Sequence, residues 1–207
     1  ALIALHKKYP VEAMYFFQFA EYSTYDKNVS PHNNRFRFLI KSVADYSPVA
    51  LGVSYTAAGD PEVMKREKKN LSEVLHRPVQ MARMRYNRVD IPQTYRDLVD
   101  AEFTDDYTLG YTHRVGFRAS TCTPFFFYDI ALETQQPIRV VPFAFHDYAL
   151  LSFSSREAVW EALDGLYKQV RQVNGNFCCI FSNELLGGYE TEDWIGLYEA
   201  VLAKYHA

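Results

Sequence analysis

The chain has 207 residues, 48% of them hydrophobic, and a formal net charge of −3 at pH 7. A chain of this size and composition can bury a core without disulfides, which indicates a single globular domain over residues 1–207. The net charge argues against a nucleic-acid-binding protein, because such proteins normally carry a basic stripe. No apolar run reaches the roughly 18 residues that a membrane span needs, and three cysteines without metal-ligand spacing are typical of reduced thiols in a cytoplasmic protein.

Hydrophobic periodicity predicts strands and helices that alternate along the chain. Apolar residues at helical spacing, with caps such as Asp60 before Pro61, predict helices at about 33–45, 60–76, 91–101, 154–173 and 191–205. Short apolar runs without helical period predict strands at about 13–19, 49–55, 79–83, 103–107, 138–145 and 175–181. Pro142 indicates an edge, a bulge or a strand end within the fifth run. The aromatic segment 110–137 has little periodicity and is predicted to be irregular.

Strands that alternate with helices indicate parallel βαβ units. About six such strands fit an open doubly wound sheet or a (β/α) barrel, and both architectures bind ligands at the carboxyl ends of the strands. The candidate site residues are therefore the polar side chains at those ends, namely Ser54, Tyr55, Arg83, Arg85, Tyr86, Asp106, His146, Asp147, Ser182, Asn183 and Glu184.

Three arginines and a tyrosine follow the third predicted strand, between Arg83 and Arg88. Arg83 and Arg85 would share a face if the strand continued, and the guanidinium fork binds carboxylates, phosphates or sugar hydroxyls. The alternative is that these arginines form structural ion pairs with nearby aspartates, Asp90, Asp105 and Asp106. A different charged run, at 65–69, is mixed in sign and predicts the solvated face of a helix.

Other polar pairs give weaker signals of catalysis. Asp105 and Asp106 point to opposite faces of a strand, so only one carboxylate can enter a cleft. His146 and Asp147 could supply a base with its orienting acid or two metal ligands, although a hydrogen-bonded loop histidine is the commoner outcome. Ser182 lies in no Gly-x-Ser-x-Gly elbow, and the chain has no P-loop, dinucleotide fingerprint or His-Glu-x-x-His motif.

Five segments carry a family resemblance in their order and spacing. They are TYDKN (24–28), GDPE (59–62), IPQTYRDL (91–98), DDYTLGY (105–111) and, most specific of all, GFRASTCTPFFFYD (116–129). Together they resemble the polysaccharide-deacetylase-like proteins with a NodB homology domain, in a branch associated with Bacteroidetes, over residues 15–198. The resemblance implies a distorted (β/α) barrel of about six to seven parallel strands. It also implies a divalent metal, usually zinc, whose water hydrolyses an acetyl group on a sugar.

The resemblance implies a role for each matched position. The acidic first strand of the family would precede Ala1, which implies an N-terminally incomplete barrel. Ser54 stands at the third-strand histidine position and Ser182 at the position of the last-strand acid. A hydroxyl is a poor zinc ligand beside imidazole, so the resemblance implies a site that holds no cofactor. The other matched residues are Arg83 and Tyr86, which orient the base, Asp106, which supports it, and Arg118 in the aromatic signature.

We therefore predict a carbohydrate- or polysaccharide-binding accessory protein of surface-polysaccharide metabolism that has lost metal-dependent hydrolysis. The predicted ligand-binding residues are Ser54, Tyr55, Arg85, Arg118, His146, Asp147, Asn183 and Glu184. One alternative is an active zinc deacetylase that an upstream segment or a partner chain completes, or in which His146 or Asp147 has become a metal ligand. A second alternative is a structural domain that forms homo-oligomers, since a missing first strand would leave an exposed sheet edge.

Overall fold

The computed structural model describes residues 2–188 and 193–206. The chain divides into two compact units. We call the first, Met14–Leu109 with Thr123–Pro142, the sheet unit. We call the second, Ala1–Ala13 with Gly110–Cys122 and Phe143–Ala207, the terminal unit.

Strands and helices alternate through most of the described residues. The strands are β1 (Tyr15–Gln18), β2 (Val49–Val53), β3 (Met81–Met84), β4 (Asp105–Asp106), β5 (Phe125–Asp129), β6 (Thr134–Val140), β7 (Phe145–His146) and β8 (Cys179–Ile180). The helices are α1 (Leu2–Lys8), α2 (Asn34–Ala44), α3 (Pro61–Leu75), α4 (Gln93–Asp100), α5 (Asp147–Leu150), α6 (Arg156–Gln172), α7 (Asn183–Leu186) and α8 (Trp194–Tyr205). A 3₁₀ turn, Arg85–Asn87, follows β3 directly.

The sheet unit is built on a six-stranded sheet of order β1-β2-β3-β4-β6-β5. Neighbouring strands from β1 to β6 run parallel, and β5 pairs antiparallel with β6 at the edge. Helices α2 and α3 begin where capping predicts, because the side chains of Asn33 and Asp60 accept hydrogen bonds from the first free backbone amides. Alternation of strand and helix therefore produces the parallel sheet that periodicity indicates.

The core of the sheet unit lies between the strands and their connecting helices. In the middle of the sheet, Ala50, Leu51 and Val53 on β2 are fully buried. Ile40 on α2 and Leu71 on α3 are equally inaccessible, and both helices pack against each other and against β2. A strand that is buried on both faces is typical of a parallel sheet covered by helices, and its nearly continuous apolar run follows from that position.

The terminal unit has its own hydrophobic cluster around the parallel pair β7 and β8. Phe145 pairs with Cys179 and His146 with Ile180. The cluster includes Phe145, Leu163 on α6 and Trp194 on α8. At Gly110 a side-chain carbon would overlap the ring of Phe143, so only glycine fits there.

Several boundaries differ from those that the sequence predicts. Segment 138–145 contains the end of β6 and the start of β7, separated at Pro142, so Pro142 marks a strand end. Segment 110–137 is not irregular throughout, because it contains β5 and the first residues of β6. The closing helix begins at Trp194, and the predicted start at 191–192 lies outside the described residues.

The α/β class and the mostly parallel sheet are confirmed. Five strands of the main sheet run parallel, fewer than the six to seven parallel strands that the resemblance implies. The described strands form two sheets, one in each unit. Closure into a (β/α) barrel therefore stays a prediction. Across the described residues, every helix is too short or too polar to cross a bilayer.

Candidate functional site

The carboxyl ends of three strands meet at one edge of the sheet unit. The parallel register places Gln18 of β1 beside Gly52 of β2, and Gly52 beside Arg83 of β3. The segments that follow β2 and β3 hold Ser54, Tyr55, Arg85 and Tyr86. Arg83 lies on β3 itself and Asp106 on the neighbouring strand β4. The topology therefore brings predicted site residues together that are far apart in sequence.

A buried carboxylate that the sequence analysis did not select, Asp26, organises this edge. Its oxygens accept hydrogen bonds from Gln18 Nε2 at 2.6 Å and from the backbone amide of Tyr55 at 2.9 Å. The amide and hydroxyl of Thr56 donate to the same group, and Arg85 Nε lies 3.6 Å away as an ion-pair partner. Asp26 thus ties together the segments that follow β1, β2 and β3. Its place within the TYDKN motif was the signal available in the sequence.

Ser54 is fully buried and bound to a second carboxylate, Glu67 of α3. Ser54 Oγ donates to Glu67 Oε1 at 2.6 Å, the Ser54 amide donates to Oε2 at 3.2 Å, and the same hydroxyl accepts from the Ala57 amide at 3.0 Å. Burial raises the pKa of Glu67 to about 7, although the hydrogen bonds from Ser54 oppose the shift. The Ser54 side chain therefore joins the loop after β2 to helix α3.

The prediction that run 65–69 is a solvated helix face is wrong at two positions. Glu67 is 5% exposed, and the ammonium group of Lys68 donates to the carbonyls of Ala101 and Glu102. The cause is that α3 turns this part of its surface toward the loop of Ser54 and toward the end of α4. A charged run alone does not reveal which of its members faces the sheet.

Arg85 and Tyr86 lie in the 3₁₀ turn, so the strand does not continue to Arg85 and the condition for a shared face with Arg83 is not met. The strand ends at Met84, and Tyr86 has a left-handed backbone with φ of 57°. Arg85 Nη1 donates to Gln18 Oε1 at 2.6 Å, and Arg85 Nε donates to the Tyr25 carbonyl at 2.9 Å. The hydroxyl of Tyr86 donates to the same carbonyl at 3.0 Å. The ion-pair partner of Arg85 is Asp26.

Asp106 is fully buried beside Thr108. The amide and hydroxyl of Thr108 donate to Asp106 Oδ1, while Oδ2 has no hydrogen-bond partner among the described residues. Burial raises the pKa of Asp106 to about 6, opposed by the bonds from Thr108 and by the charge of Arg83. Arg83 Nη2 donates to Asn87 Oδ1 at 2.7 Å. Asp105 instead pairs with Arg139 of β6 at 2.6 Å, so the two aspartates are engaged on different sides as predicted.

The terminal unit brings together His146, Asp147 and Ser182. Asp147 Oδ1 lies 2.6 Å from His146 Nδ1, and Asp147 Oδ2 accepts from Ser182 Oγ at 2.8 Å. Although burial opposes ionisation, the hydrogen bonds from His146 and Ser182 lower the pKa of Asp147. The carboxylate lies between histidine and serine, whereas nucleophilic catalysis needs the imidazole between serine and acid. Ser182 instead caps helix α7, because its hydroxyl oxygen accepts a hydrogen bond from the Leu185 amide.

The remaining predicted residues are more exposed. Glu184 of α7 accepts a hydrogen bond from the hydroxyl of Tyr148, and Asn183 is the exposed first residue of the same helix. Arg118 is exposed in a turn of the terminal unit. The predicted site residues therefore divide between the two units. The sheet unit holds Ser54, Tyr55, Arg83, Arg85, Tyr86 and Asp106, and the terminal unit holds Arg118, His146, Asp147, Ser182, Asn183 and Glu184.

The donor set does not fit a zinc ion. Ser54 and Ser182, at the positions where the resemblance expects imidazoles, each donate to a buried carboxylate. Within residues 2–188 and 193–206, no three His, Cys, Asp or Glu side chains are grouped so that they could hold one metal. Zinc sites in proteins need at least three such ligands, and the described residues do not supply them together.

No family model matches the chain, and no curated protein matches it. Among solved structures, a candidate polysaccharide deacetylase from Mycobacterium smegmatis superposes with a TM-score of 0.68 at 14% identity, over 100% of this chain and 69% of that one. The chain has the fold of the polysaccharide deacetylases. A candidate polysaccharide deacetylase from Pseudomonas aeruginosa PAO1 superposes with a TM-score of 0.54 at 15% identity. The match covers 82% of this chain and 57% of the Pseudomonas chain.

The deacetylase-like fold also occurs in the Puue allantoinase, with a TM-score of 0.63 at 13% identity over 98% of this chain. The match covers 64% of the allantoinase chain. The likeness confirms the predicted family resemblance at the level of the fold. The Bacteroidetes branch and the loss of the histidines stay predictions.

Proposed function

We propose that this chain is a carbohydrate-binding protein with a deacetylase-like fold that lacks metal-dependent hydrolysis and assists surface-polysaccharide metabolism. One observation carries the proposal. The serines at the two expected imidazole positions are each fixed to a buried carboxylate, Ser54 to Glu67 and Ser182 to Asp147. Serine hydroxyls that are hydrogen-bonded in this way stabilise loops and helix N-termini and do not bind a metal.

Hydrolysis of an acetyl group needs an activated water and stabilisation of the oxyanion that forms. In the sheet unit, the charge of Arg85 is paired with Asp26, and one oxygen of Asp106 is bound by Thr108. In the terminal unit, the imidazole of His146 is held against Asp147. These residues keep the framework of a polar site, while hydrogen bonds and ion pairs within the protein engage Arg85, His146 and one of the two oxygens of Asp106.

Features that suit sugar binding remain. The loop after β1, the loop after β2 and the 3₁₀ turn after β3 each present a tyrosine, Tyr25, Tyr55 and Tyr86. Tyrosine offers an apolar ring face with a polar tip, which matches the mixed surface of a sugar. The strand ends therefore retain a recognition surface where the catalytic groups are absent.

The experiment combines three measurements on the purified protein. We expect less than stoichiometric zinc after a mild chelator wash, no acetate release from acetylated oligosaccharides with zinc added, and heat of binding for at least one member of an oligosaccharide panel. Zinc retained at one equivalent together with acetate release would establish the active deacetylase instead. An absence of binding to every glycan, with a defined oligomer in light scattering, would establish the structural alternative.

A further inference from the structure

Two exposed tyrosines and a half-buried one form an aromatic surface at the carboxyl ends of β1, β2 and β3. We call Tyr25, Tyr55 and Tyr86 the tyrosine platform. The ring centroids of Tyr25 and Tyr55 lie 4.3 Å apart, and those of Tyr55 and Tyr86 lie 6.0 Å apart. Tyr25 is 53% exposed and Tyr86 57% exposed. Large aromatic side chains that gather at the surface are typical of a binding site.

Hydrogen bonds of the backbone and of the Tyr86 hydroxyl hold the platform in place. The Tyr25 carbonyl accepts hydrogen bonds from Arg85 and from the hydroxyl of Tyr86, and the Tyr55 amide donates to buried Asp26. Tyr86 adopts a left-handed backbone, which is rare for a bulky residue and is retained where the surroundings impose it. A surface fixed in advance loses little conformational freedom on binding, which favours affinity.

A positive charge lies beside the tyrosine platform. The guanidinium of Arg88 is 5.2 Å from the ring centre of Tyr55 and is exposed. In the described part of the chain, Arg88 forms neither an ion pair nor a side-chain hydrogen bond. Arg85, by contrast, is paired with Asp26 and bound to Gln18. The charge of Arg88 is therefore available to a ligand at the platform.

We propose that the tyrosine platform binds an acidic saccharide, one whose sugar carries a carboxylate. The C–H face of the sugar would stack on the tyrosine rings, whose faces are electron-rich. The carboxylate would pair with Arg88, whose planar fork matches that group. This inference rests on the proposed carbohydrate-binding function and names the class of sugar that the same surface takes.

The test uses calorimetric titration with hexagalacturonate and with its fully methyl-esterified form. The two probes share a backbone and differ in charge. We expect the acid to bind roughly tenfold more tightly than the ester, as one charge-assisted pair allows, and the difference to shrink in high salt. Arg88→Gln removes this preference. Arg77→Gln, the same charge change at the exposed residue after α3, keeps it.

A second pair of variants tests the stacking. Tyr25→Ala weakens the binding of both probes, because its backbone bonds persist while the ring is lost. Tyr46→Ala, which removes a tyrosine that is 61% exposed before β2, leaves both affinities unchanged. Equal binding of acid and ester, a preference that survives Arg88→Gln, or binding only to uncharged glycans of the panel overturns the inference and leaves the proposed function standing. Binding to no glycan overturns both. Circular dichroism confirms that each variant is folded.

Discussion

Three buried carboxylates surround the strand ends of the sheet unit, and each has a different environment. Asp26 accepts several hydrogen bonds and faces Arg85. Glu67 accepts two bonds from Ser54, while one oxygen of Asp106 has no partner among the described residues. A buried carboxylate is stable as an anion only where donors or cations compensate its lost hydration. The raised pKa values of Glu67 and Asp106 follow from incomplete compensation.

This difference predicts how stability depends on pH. The pKa of Glu67 rises from 4.5 to about 7 on folding, so the folded state binds its proton more tightly. The resulting stabilisation is present below pH 4.5 and is lost as pH rises to about 7. For this one group, the full shift corresponds to about 3 kcal/mol at most. Asp106, whose pKa rises to about 6, acts in the same direction.

The measurement is the free energy of unfolding in urea at pH 5 and pH 7.5. Glu67→Gln reduces the decline between these values to the share due to Asp106, because glutamine does not ionise. Glu62→Gln, on the exposed side of α3, retains the full decline and serves as the control. Parallel pH profiles for the wild type and Glu67→Gln would show that Glu67 does not titrate in this range.

Among the helices, α3 stabilises the candidate site through its contact with the Ser54 loop. Its N-cap Asp60 accepts hydrogen bonds from the amides of Glu62 and Val63, each at 3.2 Å. Two turns later the helix presents Glu67 to the Ser54 loop. The orientation of the loop therefore depends on the start of the helix as well as on the strand.

We expect Asp60→Ala to lower the free energy of unfolding by about 1 kcal/mol, the usual loss for a helix N-cap. The reason is that two backbone amides lose their acceptor. Asp100→Ala, the same substitution at the exposed last residue of α4, changes stability by less than about 0.5 kcal/mol. Denaturation in urea measures both, and equal effects would contradict the capping role.

Strand boundaries depend on partners in a way that helix boundaries do not. The sequence predicts strands at 103–107 and 175–181, and the structure forms only β4 and β8 there, two residues each. A helix closes its hydrogen bonds within its own segment, while a strand is as long as its neighbour allows. Helix α2, capped by Asn33, accordingly begins and ends within one residue of its prediction.

At the scale of the whole molecule, the two units are interleaved along the chain. The chain passes between them four times, after residues 13, 109, 122 and 142. Segment 110–122 belongs to the terminal unit, where the Gly116 amide donates to the Ala144 carbonyl at 2.7 Å and the Cys122 carbonyl accepts from the Asn176 amide at 3.0 Å. The terminal unit is therefore not contiguous in sequence.

This arrangement predicts which fragments fold. We expect fragment 14–142, which retains all six strands of the main sheet, to give a dispersed amide NMR spectrum. Fragment 143–207 keeps only the short strands β7 and β8 and loses the bonds from segment 110–122, so it stays unfolded. A dispersed spectrum from fragment 143–207 alone would contradict the division of the chain described here.

The α/β class, the helices α2, α3, α4, α6 and α8, and the polar residues at the strand ends follow from the sequence alone, whereas the short helices α1, α5 and α7 do not. Periodicity, N-caps and proline act within a few residues, so these features are local. The resemblance in the five motifs added the deacetylase-like fold, which the solved structures confirm.

Which of these residues meet, and what each one does, follows from contacts between distant parts of the chain. Glu67 is hydrogen-bonded to Ser54, and Asp26 contacts the segments after three strands. Asp147 lies between His146 and Ser182. The β5–β6 hairpin also forms in a segment without periodicity. Burial, hydrogen-bond partners and pKa depend on neighbours that are distant along the chain, and no local pattern encodes them.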